Sequence, residues 1–450
     1  MVFPRTGAYR TSWIRGLPFV SSRISIDCPV IAETPRDRAH FFGFHDVTPW
    51  NPANDTLVVL RVDPEIRHQP NGEVAEICLW KPGAGVPAPI GTTTAWNFQM
   101  GARAQWLADG RLIYNKLVDG RLGACVFNPE NGAEQMIDYA VCSIHPSGRV
   151  AVAPNYGRLR KHWPAYGLPS DYPASIDSPA PDDDGIWRVD LETGTAALLI
   201  PIAEIANVGA GTPADVAQVV THTQFNPSGA QFAFMHRYFL NDGAIYSRLL
   251  VANSDGSNLR LLAEEKVTHY DWRDDDTILA WSRFMSSGLA AARRSGLIGS
   301  PILRPLINIA RKLRHRLPSG VGSVGNEHYF LIPVDAPTQR QVVGADVLPV
   351  DGHPMFQVDD PGLMVTDTYP DAEGMQNLML FDLDGDQRID MGRYLSDLSV
   401  GDGDMKCDLH PRWDRTGRKV SVDSSRAGIR QNLIIDAGPA IDARAGGHAG

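Results

Sequence analysis

Histidine is the side chain that titrates near neutral pH and also ligates divalent metals through an uncharged nitrogen. The chain has 450 residues and 13 histidines. Five of them, His45, His222, His269, His353 and His410, share one local setting. Each stands at the lead-in to an alternating apolar strand, near an aromatic residue or a proline, with a turn rich in Asp, Gly and Asn further on. Asp46, Asp271 and Asp408 stand beside three of them, and Gln99 lies in the lead-in to another copy of the pattern.

Two chemistries suit such a set. Neutral imidazoles with a carboxylate make a site for Mn, Fe, Zn or a similar divalent metal. Asp408 and His410 are two residues apart, so in an extended strand they project to the same side. With His353 from the preceding copy they form the candidate metal set. The other chemistry is acid–base work. His222 and His269 are the candidate bases, with Asp271 beside His269.

Around them lie groups fit for a polyhydroxylated, anionic ligand. These are His45, Gln99, Arg158, Arg160, Tyr166, His236, Arg237, Asp367, Tyr369 and Arg412. Arginine forks suit carboxylates, and Trp96, Trp163 and Tyr369 offer faces on which sugar rings stack. Motifs of other chemistries are absent: there is no GxSxG elbow, P-loop, GxGxxG after a strand, or HExxH.

The elements that must position these residues read as an internal repeat. Its copies begin FHDVTPWNPANDTLVVLRV at Phe44, ARAQWLADGRLIYNKL at Ala102, YAVCSIHPSGRVAVAPN at Tyr139 and HTQFNPSGAQFAFMHR at His222. Three more begin HYDWRDDDTILAWSR at His269, GHPMFQVDDPGLMVTDTY at Gly352 and DLHPRWDRTGRKVSVDSS at Asp408. NPSG, DLETG and DLDG stand where hairpins should reverse. Units of about 40 to 60 residues, each too small to bury its own apolar face, predict an all-β, seven-bladed β-propeller. Equivalent positions of the blades then converge on the axis.

The propeller is expected over 36–436. Residues 1–35 should pack on it or close it, and 437–450 reads as a flexible tail. Two inserts break the rhythm. The first, 156–185, is long, aromatic and proline-rich. The second, 284–325, contains PILRPLINIARKLRHRL at 301–317, a basic amphipathic helix pattern. It reads either as a lid on the propeller or as a helix lying on an anionic membrane surface.

Hydrophobic residues make up 43% and charged residues 21%, enough for a large core. Gly 42 and Pro 33 suit many tight turns. The net charge of −10 argues against nucleic acid, which needs a basic footprint. The cysteines number five, in no zinc or CxxC spacing, and are expected reduced and buried. No apolar run is long enough for a signal peptide or a membrane span. The expected location is the cytoplasm, peripheral to the inner membrane if 301–317 binds it. The oligomeric state is open.

The segments HFFGFHDVTPWN, TAWNFQMGARAQWL, DDDGIWRVDLETG, THYDWRDD, VTDTYPDAEG and CDLHPRW resemble a family of bacterial TolB-like or WD40-like propellers met near genes for surface polysaccharides. More distantly, the chain is similar to oligogalacturonate lyases. These are seven-bladed propellers that hold manganese with histidines and a glutamine and cleave uronic-acid oligomers by β-elimination. Their last blade carries Gln-x-x-His-x-His-Pro. In the stretch MKCDLHPRW here, His410 and Pro411 match, Asp408 replaces the first histidine and Met405 the glutamine. His353, in GHPMF, matches the ligand of the preceding blade.

The resemblance implies manganese as the cofactor and an acidic oligo- or polysaccharide as the partner. The leading expectation is a metal-assisted lyase. The alternatives are a non-catalytic glycan-binding or assembly protein, and a glycoside hydrolase with paired carboxylates drawn from Asp46, Asp271, Asp367 and Asp408.

Overall fold

A strand that is apolar on both faces needs a neighbour on each side. Leu57–Val62 reads LVVLRV and is buried along its length except at Arg61. Such strands recur, and the chain covers both faces of each sheet by arranging the sheets around an axis. The computed structural model describes residues 21–170, 176–240, 243–264, 266–283 and 327–447. It is a seven-bladed β-propeller, with each blade an antiparallel sheet of four strands and one blade extended by a fifth.

The first blade spans Ala39–Phe41 to Ala88–Thr93, and the second Gln105–Trp106 to Glu134–Ile137. The third runs from Ser143–Ile144 to Ala196–Pro201, the fourth from Gln218–Phe225 to Arg260–Ala263, and the fifth from Val267–Trp272 to Gln341–Val343. Met355–Gln357 to Gln387–Leu395 form the sixth, and Arg412–Trp413 opens the seventh. The apolar clusters lie between blades. One joins Ile113, Ala124 and Val126 of the second blade to Ala151, Ala153 and Val189 of the third.

The ring is closed by the N-terminal segment. Val30–Glu33 is the outermost strand of the seventh blade, antiparallel to Gln431–Asp436. Ser22–Ser25 adds in parallel to the sixth blade, against Gln387–Leu395. One short stretch thus staples the last two blades and covers strand edges that would otherwise be open. At the hairpin of the fourth blade, Asn226 caps the NPSG turn through its side-chain oxygen and Gly229 supplies the left-handed residue at φ 78°.

Residues expected as a flexible tail instead form the helix Gly438–Gly447. Arg444 holds it to the sixth blade through ion pairs with Asp360 and Asp382, and Ala440 is buried. The second insert leaves the fifth blade between Thr277–Arg283 and Glu327–Pro333, where Arg283 and Lys266 both pair with Glu327. The helix pattern at 301–317 lies outside the described residues. All five cysteines are buried and free. Among the described residues no helix is long and apolar enough to cross a membrane.

Candidate functional site

The five histidines of the repeat do meet at the axis. Phe44 is their hub, its ring centroid lying 4.4 Å from His45, 4.8 Å from His222, 5.3 Å from His410, 6.3 Å from His269 and 6.5 Å from His353. Local backbone devices aim them inward. His222 and His410 adopt the left-handed region, at φ 54° and 43°. For a non-glycine residue that costs about 1–3 kcal/mol each and persists where the surroundings impose it. His222 and His269 sit where the ladder slips register, between Thr221 and Gln224 and between Val267 and Tyr270. Phe44 is brought to the centre by Gly43, at φ 121°, where a Cβ would fall 2.6 Å from the Gly101 nitrogen.

One corner of this cluster has the make-up of a metal centre. Each of His353, Asp408 and His410 offers a ligand atom within 4.8 Å of the others, and all three are buried. His353 donates from Nδ1 to Asp367, at 2.8 and 3.0 Å from the two oxygens, which leaves Nε2 as its lone-pair atom. Asp367 also accepts from the backbone N–H of His353 (2.8 Å) and of His410 (3.2 Å). It therefore orients the His353 imidazole, as carboxylates behind metal-bound histidines do, and also fixes the backbone that carries His410. Burial holds His353 and His410 well below the ordinary histidine range, so both are neutral at physiological pH. His410 Nε2 and Asp408 Oδ1 are buried without a hydrogen-bond partner. Buried polar atoms left unpaired are costly. Two neutral imidazoles and one carboxylate fit a divalent transition ion with coordination positions to spare.

A second corner has the make-up of a general base. His269 Nδ1 donates to Asp351 at 3.0 Å, while its Nε2 lies 3.5 Å from the Tyr369 hydroxyl. The His269 and His353 rings are 4.4 Å apart, so this base borders the metal corner. His222, neutral through burial, has both ring nitrogens unpartnered and packs 4.9 Å from the Tyr166 ring. His45 donates from Nδ1 to the Pro354 carbonyl at 2.8 Å, leaving Nε2 unpartnered 5.4 Å, ring to ring, from His353. Beside Phe44, His222, Gln224 and His269 lies a cavity of about 10 Å³, room for one water.

Arg237 stands over the Trp163 ring at 3.7 Å, and burial lowers it to about 10. Among the described residues it has no carboxylate partner. Tyr166 is pushed up to about 12 by burial and Tyr369 well above the tyrosine range, so both phenols keep their protons.

The structure withdraws several candidates from the site. Asp271 accepts from the Phe356 N–H (2.7 Å) and the Gln224 amide (2.6 Å), a tie between the fourth, fifth and sixth blades that leaves it no oxygen for chemistry. Arg412 is fully buried and donates to the Gly43 carbonyl (2.7 Å) and to Asp423, so it braces the loop carrying Phe44 and His45. Arg158 is spent on the carbonyls of Gln218, Ser178 and Pro179. Arg160 reaches the side chain of Asn71 in the first blade. His236 lies on the face of its strand opposite Arg237 and is buried beside Tyr238 and across from Arg248, away from the axis. Trp96 is core, its indole N–H on the Glu73 carbonyl. Gln99 donates to the Asp404 carbonyl at 2.9 Å, acting on a loop. Asp367 belongs to the site as the orienter of His353 and an anchor for the His410 backbone.

Three site residues went unread in the sequence. Arg103, left-handed at φ 53°, occupies in the second blade the position that histidine holds elsewhere and forks onto Asp46 at 2.7 and 2.9 Å. Asp351 is His269's partner. Lys406, beside Met405, lies 3.7 Å above the Tyr369 ring. The repeat alignment MGARAQW could have found Arg103; no local signal marked the other two.

No protein-family model matches the sequence, and no curated protein matches it. Solved structures do. An oligogalacturonate lyase in complex with manganese superposes with a TM-score of 0.57 at 14% identity, covering 93% of this chain and 98% of that one. The oligogalacturonate lyase of Vibrio parahaemolyticus gives 0.58 at 15%, covering 92% and 97%. TolB from Acinetobacter baumannii gives 0.37 at 11%. At these identities the likeness is one of fold: this chain has the seven-bladed architecture of the two lyases over nearly its whole length.

Proposed function

We propose that this protein is a lyase that cleaves a uronate-containing glycan by metal-assisted β-elimination. The observation that carries the reading is the convergence of His353, Asp408 and His410, with unpartnered ligand atoms, next to a carboxylate-oriented histidine. His353, Asp408 and His410 would hold a divalent ion, manganese by analogy with the lyase of like fold. Such an ion supplies Lewis acidity toward the sugar carboxylate, which makes the neighbouring C5 proton more acidic.

The chain's own groups do the rest. Arg237, held over the Trp163 ring, binds a sugar carboxylate. His269, its tautomer set by Asp351, takes the C5 proton at Nε2. Tyr369, protonated and within reach of that nitrogen, is the donor to the departing O4. Tyr166 and Trp163 give the sugar rings a face to lie on. A hydrolase with paired carboxylates has less support, because Asp46, Asp271 and Asp367 are each engaged by structural partners.

The test is incubation of manganese-loaded protein with digalacturonate and a panel of acidic oligosaccharides, following the ultraviolet absorbance of the unsaturated product. Turnover should fall at least about 100-fold in His269→Ala and in His410→Ala. Absence of unsaturated product across the panel, with metal bound, overturns the lyase reading and leaves glycan binding or assembly of surface polysaccharide as the role of the same pore.

A further inference from the structure

Lys406 sits beside the metal corner with a charge that the mechanism above does not use. The inference drawn from it rests on that corner holding a cation. Lys406 directly follows the turn Gly403–Met405, two residues before Asp408. The turn is pinned on both sides: Gln99 donates to the Asp404 carbonyl at 2.9 Å, and Arg430 donates to the Met405 carbonyl. Gln99 and Arg430 are buried, so the lysine's position is built and does not depend on a loose loop.

Its Nζ lies 3.7 Å above the Tyr369 ring and 3.7 Å from Asp408 Oδ1, with 27% of the side chain exposed. That separation is longer than a charge-assisted hydrogen bond of about 2.8 Å, so the ammonium is attracted without being locked. Of the other cations around the axis, Arg103 is paired with Asp46 and Arg412 with Asp423, while Arg237, over the Trp163 face, already has a role in the mechanism above. Asp408 is in turn the only anion within ion-pair range of Lys406 among the described residues. A divalent ion taken up by Asp408 cancels that attraction and repels the ammonium.

We propose that Lys406 is an exchangeable counter-charge. It pairs with Asp408 while that carboxylate is free, and it passes to the carboxylate of an anionic sugar when a cation claims Asp408. Metal and acidic sugar then favour each other's binding, because each relieves the charge that the other leaves uncompensated. Tyr369 carries the ammonium on its face and stands at His269, so the sugar carboxylate drawn to Lys406 is delivered beside the base. Lys406 is thus a positioning and specificity residue.

The experiment measures Mn(II) and galacturonate binding by calorimetry on wild type, Lys406→Gln and Lys406→Arg. The monomer is used because it has no glycosidic bond to cleave. Without sugar, Lys406→Gln should bind Mn(II) about fivefold more tightly, since a competing cation has gone from a partly exposed pair. A variant that was merely damaged would bind it more weakly. With Mn(II) saturating, Lys406→Gln should bind galacturonate about tenfold more weakly, and Lys406→Arg should restore it. The proposal is overturned if Lys406→Gln binds Mn(II) no tighter than wild type, or keeps full galacturonate affinity; the lyase reading then stands. If the wild type binds no Mn(II), this inference and the metal corner both fall.

Discussion

Asp367→Asn tests whether the buried carboxylate behind the histidines organises the metal corner. Asp367 accepts three N–H groups: the Nδ1–H of His353, the backbone N–H of His353 and the backbone N–H of His410. An asparagine is nearly the same size but offers one acceptor oxygen, and its NH₂ must face at least one of those donors. The lost bond and the donor–donor contact cost about 1–3 kcal/mol of stability. The loss is softened because burial already pushes the Asp367 carboxyl up to about 7, so ionising it is unfavourable in the native protein. The larger effect falls on the metal. Without the carboxylate His353 is less basic and its ring freer, and changes of this kind weaken metal affinity 10–100-fold, or about 1.4–2.7 kcal/mol. Mn(II) titration by calorimetry on wild type and Asp367→Asn, with urea denaturation of both, gives the two numbers. Asp351→Asn is the control: Asp351 bonds the ring of His269 and neither ring of the metal corner, so the change should leave Mn(II) affinity within about twofold. If Asp367→Asn stays folded and binds Mn(II) within twofold of wild type, Asp367 does not serve the corner, and its bonds to His353 and His410 are architectural only.

Mn(II) affinity should also depend on pH with a definite sign. Burial pushes Asp408 up to about 7, whereas His353 and His410 are held below the histidine range and do not compete for protons there. Below pH 7 the ion must therefore displace a proton from Asp408, and affinity should fall about tenfold per pH unit on acidification, with a plateau above 7. Calorimetry from pH 5.5 to 8 checks this, and a flat profile would exclude Asp408 as a ligand. Phe44→Ala empties the hub on which the histidines of five blades pack, and should cost about 3–5 kcal/mol in urea denaturation. A loss below about 1 kcal/mol would mean that the imidazoles hold one another in place without it.

Blade number and the identity of the axial histidines were legible because a propeller repeats both. Turn residues recur at a fixed offset from an alternating strand, and the residue at the rim recurs with them. Asp408 and His410 do come together, although not as the strand rule supposed: both precede the strand Arg412–Trp413, and His410 is left-handed at φ 43°. Side chains whose roles depend on what they meet across the ring were not legible. Arg158 and Arg412 have the composition of ligand-binding arginines, yet each is taken up by a backbone carbonyl remote in sequence, Gln218 for Arg158 and Gly43 for Arg412. Asp271 is two residues from His269, which in a regular strand would put both on one face, but the register slip between Val267 and Tyr270 breaks that alternation, so Asp271 turns to Phe356 and Gln224 and the carboxylate that reaches His269 is Asp351. The tail after residue 436 carries little apolar signal. Its helix depends on Arg444 finding Asp360 and Asp382 of the sixth blade.

The sequence by itself determined the period of the chain, and with it the fold and the kinds of atom delivered to the axis. Periodicity is a local property, written once per blade and readable wherever it recurs. Tertiary structure alone decided which nitrogens and oxygens remain unspent. That depends on where each partner lands: Asp367 at the end of the neighbouring strand of the sixth blade for His353, Asp423 on the next strand of the seventh for Arg412, and Asp351, in the lead-in to the sixth blade, for His269 of the fifth. Hairpin register within a blade and the approach of one blade to the next set these pairings, and neither is written in the local spacing.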